Sequence, residues 1–219
     1  ALVNANSHNL KQHSQFDDLW ILPVQDIPDL RDGGVYHYFF EIVDTNPYKE
    51  ENRKIRITDP MAYSVDWRLR APWAGNGYDD DDRDPSSVIM VSNAKLIPCD
   101  AGGETADWGD DDTYIGSLPI NNMCVIYELP TSWAREGEKD KKLIDVGSFA
   151  DVLALIEVDA HPANFTGVGA LENRSHLREL GINVLELKPP ADSFVDRQWG
   201  YATSNYFAAD WDLGRPFGH

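Results

Sequence analysis

The chain has 219 residues, which allows one large domain or two small ones with a substantial hydrophobic core. Its formal net charge of −18 argues against nucleic acid or an anionic membrane surface as a partner, because such binding needs clustered Lys and Arg. No apolar run approaches the ~18 residues of a membrane-spanning helix and no signal peptide is visible, so we expect a soluble protein, cytoplasmic or secreted.

Acidic residues are concentrated in two runs, residues 79–84 and 107–112. We interpret both as solvated loops; calcium binding stays open as the alternative, although neither run has the spacing of a known calcium loop. No other cofactor and no metal site is predicted, since the six His residues show no paired metal spacing and there is no glycine-rich phosphate loop. Cys99 and Cys124 are compatible either with buried free thiols or with a disulfide.

Short β segments separated by turns are predicted from residue 16 to residue 91. The segments are residues 19–22, 35–43, 55–58 and 87–92, and an Asp32-Gly33-Gly34 turn precedes the second of them. This spacing is typical of an antiparallel sandwich, although three or four strands are fewer than the roughly seven of a complete one. Residues 93–114 are predicted to be a polar linker.

Three aromatic residues, Trp67, Trp73 and Tyr78, fall in or beside a predicted loop that extends to residue 84. Aromatic side chains exposed on loops stack on sugar rings, which makes these three possible glucan contacts. Packing against their own domain is the alternative.

The second half is predicted to alternate between strands and helices. Residues 123–129 predict a buried strand that contains Glu128, residues 130–142 a charged loop, and residues 147–154 and 169–180 two helices. We interpret Glu128 as a framework hydrogen-bond acceptor rather than a catalytic group.

A tight glycine turn and a second buried strand follow the second predicted helix. Gly181 ends the helix, residues 182–187 form the strand, and Pro189-Pro190 closes it. An aromatic loop over residues 192–209 comes next. Helix, strand and loop together indicate one unit of an α/β barrel or of a doubly wound sheet, in which the functional site lies at the carboxyl ends of the strands.

The run "LRELGINVLELKPP", followed closely by "WGYATSNYF", resembles the second barrel strand and following loop of the α-amylase superfamily, glycoside hydrolase family 13, on its pullulanase, isoamylase and branching-enzyme side. Tyr127-Glu128 is similar to a pair on the family's first barrel strand. "GGVYHYFFEI" and "ITDPMAYSVD" look like late strands of a carbohydrate-binding module 48. The resemblance implies a β-sandwich-like module over residues 1–118 and the first two β/α units of a truncated (β/α)8 TIM barrel over residues 119–219.

The resemblance also implies roles for four residues of the loop. Tyr201 corresponds to the aromatic residue that stacks on the sugar next to the scissile bond, and Trp199 would extend this platform or pack beneath it. Asn205 and Tyr206 correspond to positions that hold the loop in shape. The family's catalytic carboxylates sit on later strands, so no catalytic residue is expected in this chain.

We therefore expect the N-terminal part of an α-glucan-active, retaining glycoside hydrolase or transglycosylase that acts on starch, glycogen or pullulan. Its partners would be the glucan and either the remainder of the enzyme or a second copy. A non-catalytic glucan-binding or partner-binding module is the alternative. The sequence leaves open the choice between debranching, branching and amylase activity.

Overall fold

The computed structural model describes residues 6–48, 53–71, 83–105, 119–131, 133–136, 142–146, 148–156, 176–194 and 200–214. Two compact units divide the chain, residues 1–106 and residues 107–219. The predicted boundary at residue 118 falls in a stretch outside the described residues, so it stays a prediction. In the described part of the chain, no helix is long and apolar enough to cross a membrane.

Short strands make up most of the regular structure of the first unit. They are Lys11–Gln12 (β1), Trp20–Ile21 (β2), Val35–Tyr38 (β3), Phe40–Val43 (β4), Lys54–Ile57 (β5), Val65–Arg70 (β6), Pro85–Ser92 (β7) and Lys95–Ile97 (β8). All pairings are antiparallel: β1 with β2, β4 with β5, and β3, β6 and β8 with β7. This arrangement is compatible with a β-sandwich-like domain, and it contains more strands than the three or four predicted.

Strand β7 is the centre of the four-stranded sheet and of the core. Its Val88 and Val91 are buried, as is Val65 on the neighbouring β6. Two fully buried serines lie on the same strand: the Ser87 hydroxyl accepts a hydrogen bond from the Asp59 main-chain N–H at 2.8 Å, and the Ser86 hydroxyl donates to the Asp66 carbonyl at 3.4 Å. Both buried serine hydroxyls therefore have partners, which offsets the cost of desolvating them.

Three sequence expectations for this half are corrected. Residues 35–43 form two strands rather than one, because β3 pairs with β7 whereas β4, after Phe39, pairs with β5. The predicted linker begins with a strand, β8, which pairs with the end of β7. Trp67 lies on β6 rather than in a loop. High β-propensity locates a strand but does not specify its neighbour.

The second unit combines short strands with two short helices. The elements are Ile126–Leu129 (β9), Trp133–Glu136 (β10), Lys142–Val146 (β11), Phe149–Ile156 (α1), His176–Glu179 (α2), Val184–Leu187 (β12), Ala191–Ser193 (β13) and Thr203–Ala209 (β14). Strands β9 and β12 are parallel, with Ile126 opposite Val184 and Leu129 opposite Leu187. The two predicted strands are thus confirmed, and they are neighbours.

Asn183 joins the amino ends of this parallel pair. Its side-chain amide donates to the Met123 carbonyl at 2.9 Å and its side-chain oxygen accepts from the Val125 N–H at 2.7 Å. One polar side chain therefore satisfies two main-chain groups just ahead of β9. This fixes the register of β9 against β12.

Gly181 ends helix α2 as predicted. Its φ of +76° lies in the left-handed region, its N–H donates to the Arg178 carbonyl at 2.9 Å, and the Ile182 N–H donates to the Leu177 carbonyl at 3.0 Å. These two hydrogen bonds define a Schellman motif. The motif turns the chain directly from the helix into β12.

Four expectations for this half are wrong. The strand over Val184–Leu187 is half-buried rather than buried. The predicted loop over residues 192–209 contains most of β13 and all of β14, which pair with each other. The predicted loop over residues 130–142 contains β10, which forms an antiparallel hairpin with β11. Strand β9 is not buried: Ile126 is 58% exposed, and Val125 and Tyr127 are also exposed. Apolar composition predicted burial, but in the described residues β9 has a single neighbouring strand, so its other edge stays open.

Candidate functional site

The candidate functional site is the segment that follows β12. It contains β13, a 3-10 turn over Gly200–Ala202 and β14, and β13 pairs antiparallel with β14. The segment begins at the carboxyl ends of the parallel strands β9 and β12. Ligands of open parallel sheets and of barrels bind at this end of the strands.

An irregular pairing of β13 with β14 exposes two aromatic side chains. Ala191 is opposite Ala209, yet the next residue, Asp192, is opposite Asn205, so residues 206–208 of β14 have no counterpart on β13. Tyr206 and Phe207 both lie in this bulge, and both are exposed, at 76% and 51%. In a regular strand successive side chains point to opposite faces, so one of these two would have pointed inward. Bulges redirect side chains in this way and are common beside functional sites.

The fully buried Asp192 forms hydrogen bonds with residues at both ends of the bulge. Its carboxylate accepts a hydrogen bond from the Asn205 amide at 2.8 Å and one from the Trp211 N–H at 3.3 Å. Asn205 is itself buried. The two residues therefore connect β13 to both ends of the bulged segment.

A second carboxyl group, that of Asp210, is buried just beyond the end of β14. It accepts hydrogen bonds from the Asp212 N–H at 2.9 Å and from the Ser193 hydroxyl at 3.5 Å. Burial raises the pKa of Asp210 to about 7, and the charges of Asp192 and Asp212 add to the increase against the lowering effect of the main-chain hydrogen bonds. Asp210 is thus largely protonated below neutral pH.

Tyr201 lies in the 3-10 turn and is 66% exposed. Together with Phe194, Tyr206 and Phe207 it gives the loop four exposed aromatic side chains, which we call the aromatic platform. Trp199 lies outside the described residues. Of the predicted loop residues, Tyr201 and Tyr206 therefore face outward, whereas Asn205 lies in the support beneath them.

Charged side chains surround the carboxyl ends of β9 and β12. Glu128 and Glu186 are directly opposite each other in the parallel pair, and the Lys188 ammonium group forms an ion pair and hydrogen bond with Glu128. The hydrogen bond to Glu128 raises the pKa of Lys188, and Tyr201 and Glu186 raise it further. Lys188 is therefore within electrostatic reach of Tyr201.

The aromatic residues predicted for the first unit are only partly described. Trp67 is half-buried on β6, and the Arg70 guanidinium carbon lies 5.3 Å from the centre of its ring. This cation–π contact occupies one face of the indole, so that face is not open to a sugar. Trp73 and Tyr78 lie outside the described residues.

Within the part of the chain that the structure describes, no group of three or more His, Cys, Asp or Glu residues is arranged to hold a metal ion. Most of the two acidic runs lie outside that part. Cys99 and Cys124 are both free thiols, so the disulfide alternative is not formed.

Sequence patterns gave no signal for the support beneath the platform. Asp192, Ser193 and Asp210 are polar residues in a segment without hydrophobic periodicity, and nothing in their spacing indicates that they are buried. Lys188 next to two prolines likewise gave no indication of its pairing with Glu128. No protein-family model matches this chain, and no curated protein matches its sequence.

Proposed function

We propose that this chain supplies one wall of an α-glucan-binding site in an enzyme of the α-amylase type. The observation that carries the proposal is the aromatic platform, a set of exposed aromatic side chains held by a buried polar support at the carboxyl ends of two parallel strands. The resemblance of residues 177–207 to the α-amylase superfamily supports glucan as the ligand. We propose further that β9 and β12 are the first two strands of a (β/α)8 barrel.

Stacking is the interaction that the platform offers. A pyranose ring has an apolar C–H face, and a tyrosine ring on a short side chain loses little conformational entropy when it packs against that face. Tyr201 and Tyr206 are both exposed and both belong to a supported loop. Tyr201, which is also near the Lys188 charge, is proposed as the principal contact.

The carboxylates around the platform do not suit acid/base catalysis. Glu128 is ion-paired with Lys188, and Asp192 is fully buried. A retaining glycosidase needs a nucleophilic carboxylate and a protonated acid about 5 Å apart at an open site. We propose that the catalytic pair of the complete enzyme is not among the residues of this chain.

An activity assay tests the catalytic part of this proposal. We expect no turnover when the chain is incubated with pullulan, glycogen or soluble starch and reducing ends are measured. Wild-type turnover that disappears in a Glu128→Gln or Glu186→Gln variant would show that the catalytic groups are present and would overturn it.

Affinity electrophoresis in glycogen-containing gels tests the platform. We expect the wild-type chain to be retarded, and Tyr201→Ala and Tyr206→Ala to reduce the retardation. Tyr48→Ala is the matched control, because Tyr48 is a fully exposed tyrosine of the first unit, 92% accessible. Trp73→Ala reports on binding by a carbohydrate-binding module 48 in that unit. Retardation that survives both loop substitutions would contradict the platform.

The open edge of β9 favours the second candidate function, a module that binds a protein partner. Met123, Val125 and Ile126 are exposed there, and exposed apolar strands associate. The proposed partner is the remainder of a barrel or a second copy of this chain. We expect light scattering to detect self-association that Ile126→Lys reduces; a monodisperse wild-type monomer would contradict self-association.

A further inference from the structure

The pairing of β13 with β14 changes register twice along the short strand β13. Ala191 is opposite Ala209, and in a regular antiparallel ladder each step along β13 is matched by one step back along β14. Regular pairing from this point would therefore place Ser193 opposite Phe207. In the structure Ser193 is instead opposite Thr203, and the residues of β14 that are left over form the bulge.

The regular register would change the exposure of one residue of the aromatic platform. Residues that are directly opposite each other lie on the same face of the pair, and Ser193 is buried, so a Phe207 side chain opposite it would be buried as well. Tyr206 would be opposite Phe194, which is exposed, and would stay at the surface. In the bulged register both Tyr206 and Phe207 are exposed. The register therefore decides whether Phe207 belongs to the platform.

The side chains of Asp192 and Asn205 meet where the register changes. The two residues are opposite each other, and the Asp192 carboxylate accepts a hydrogen bond from the Asn205 amide at 2.8 Å. Both side chains are buried. In the regular register Asp192 would be opposite Ala208, whose side chain has no donor. The buried carboxylate would then lose the amide, and the loss of a partner is costly for a buried polar group.

The same carboxyl group also binds the chain beyond β14. Its other oxygen accepts from the Trp211 main-chain N–H at 3.3 Å. Asn205 and Trp211 are thus both bound to one side chain of β13, although a regular strand from one to the other would extend about 20 Å. One carboxyl group cannot bridge that distance. The chain between these two hydrogen bonds therefore cannot run as a regular strand while both are present.

We propose that Asp192 is a positioning residue whose hydrogen bond with Asn205 selects the bulged register and thereby keeps Phe207 on the outer face. Without this hydrogen bond β14 pairs regularly with β13, and Phe207 turns inward while Tyr206 stays exposed. That the inward turn weakens glucan binding rests on the proposed function above. The change of register itself involves no ligand and is measured without one.

Hydroxyl-radical footprinting of the full chain, analysed by mass spectrometry, tests the proposal, because the oxidation rate of an aromatic side chain follows its exposure. We expect Tyr206 and Phe207 both to be oxidised in the wild type. Asn205→Asp places two carboxyl groups opposite each other, and we expect it to lower the oxidation rate of Phe207 about fivefold or more while that of Tyr206 is retained. Tyr48, a highly exposed residue of the other unit, is the internal reference.

The double variant Asp192→Asn with Asn205→Asp exchanges the two partners. The amide then donates in the opposite direction, and its oxygen still accepts the Trp211 N–H, so we expect the oxidation rate of Phe207 to return to within about twofold of the wild type. Asn122→Asp, the same substitution at an exposed site of the second unit, should keep the wild-type pattern.

Two results overturn the proposal. One is an oxidation rate of Phe207 that is unchanged or higher in Asn205→Asp, since a segment that only loses stability becomes more exposed. The other is a double variant in which Phe207 stays protected or the chain does not fold. If Asn205→Asp itself does not fold, the double variant decides alone.

Glycogen retardation of the same variants separates this proposal from the proposed function. Retardation that weakens in Asn205→Asp and returns in the double variant supports both. Absence of retardation in the wild type, together with the expected oxidation pattern, contradicts the glucan-binding function and leaves the positioning role supported.

Discussion

Each unit of this protein buries an aspartate, and the two respond to burial in opposite ways. Asp66 in the first unit is 3% exposed, but hydrogen bonds from His37 at 3.0 Å and from the Arg68 guanidinium at 2.9 Å surround it. Burial by itself would raise the pKa of Asp66, yet these donors outweigh it and hold the pKa well below its usual value. Burial raises the pKa of Asp210, and the charges of Asp192 and Asp212 add to the increase.

The difference shows that burial alone does not set the charge state of an acidic side chain. A cationic neighbour makes the charged form the stable one, whereas a second carboxylate makes the neutral form the stable one. The first unit therefore uses its buried aspartate as a permanent connection between β3 and β6.

The largest effect is expected for the paired aspartate. Asp66→Ala leaves His37 and Arg68 without their common acceptor, and we expect it to lower the free energy of unfolding of the first unit by about 3 kcal/mol at pH 7, a value reduced for the partial exposure of Arg68. Urea denaturation measures this change, with unfolding of the first unit monitored through hydrogen exchange of the β7 amides. Asp18→Ala, an exposed carboxylate of the same unit, should change it by less than about 0.5 kcal/mol.

Asp66 also predicts an acid limit for the first unit. A group whose pKa is lowered by folding stabilises the native state above its unfolded pKa of about 4, and this contribution is lost as the pH falls through the folded value. We therefore expect the stability of the wild-type first unit to decrease below about pH 4. The Asp66→Ala variant should lose less stability over the same range, and an unchanged acid dependence would argue against the pairing.

Substitutions in a core strand and beside an edge strand provide a second test of the difference between the two units. Val91 is buried on the central strand β7, so Val91→Ala should cost about 2 kcal/mol through lost burial and a residual cavity. Val125, just ahead of the open strand β9, is exposed, and Val125→Ala should cost less than about 0.5 kcal/mol. Thermal unfolding of the two variants measures both; similar losses would mean that the edge of β9 is covered in solution.

Asp210→Asn should stabilise the second unit, in contrast to Asp66→Ala. The folded pKa of about 7 exceeds the unfolded value, so stability is complete below about pH 4 and declines as the pH rises through 7. Replacing the titrating carboxyl group should therefore raise the free energy of unfolding more at pH 8 than at pH 5, by about 2 to 3 kcal/mol, since each pKa unit is worth about 1.4 kcal/mol. Urea denaturation at the two pH values measures the difference, and a destabilised variant at pH 8 is the contrary result.

The smallest effect is expected at the turn that leads into β12. Gly181 has a φ of +76° and open space around it, so Gly181→Ala introduces backbone strain without a steric clash and should cost about 1 kcal/mol. Gly214→Ala is the matched control, because no positive φ is present there and its added methyl group would make ordinary van der Waals contact. Equal costs would indicate that the Schellman motif does not contribute to stability.

Local sequence signals predicted the elements that local forces determine. The glycine after α2, the strand over Val184–Leu187 and the strand over Ile126–Leu129 could all be derived, because turn chemistry and apolar runs act over a few residues. The division of residues 35–43 between two sheets could not be derived, since the run has the same strand propensity throughout. Which partner each half pairs with depends on residues that are distant in sequence.

The sequence by itself determined that the second half contains two apolar strands and an aromatic segment beyond them. The resemblance of residues 177–207 to the α-amylase superfamily suggested glucan as the ligand. Only the tertiary structure decided that the two strands are parallel neighbours, that Tyr206 and Phe207 both face outward, and that Asp192 and Asp210 are buried together. The physical reason is range: strand propensity and turn geometry are local. Register, bulges and the charge state of a carboxyl group are set by groups that the fold brings together from distant parts of the chain.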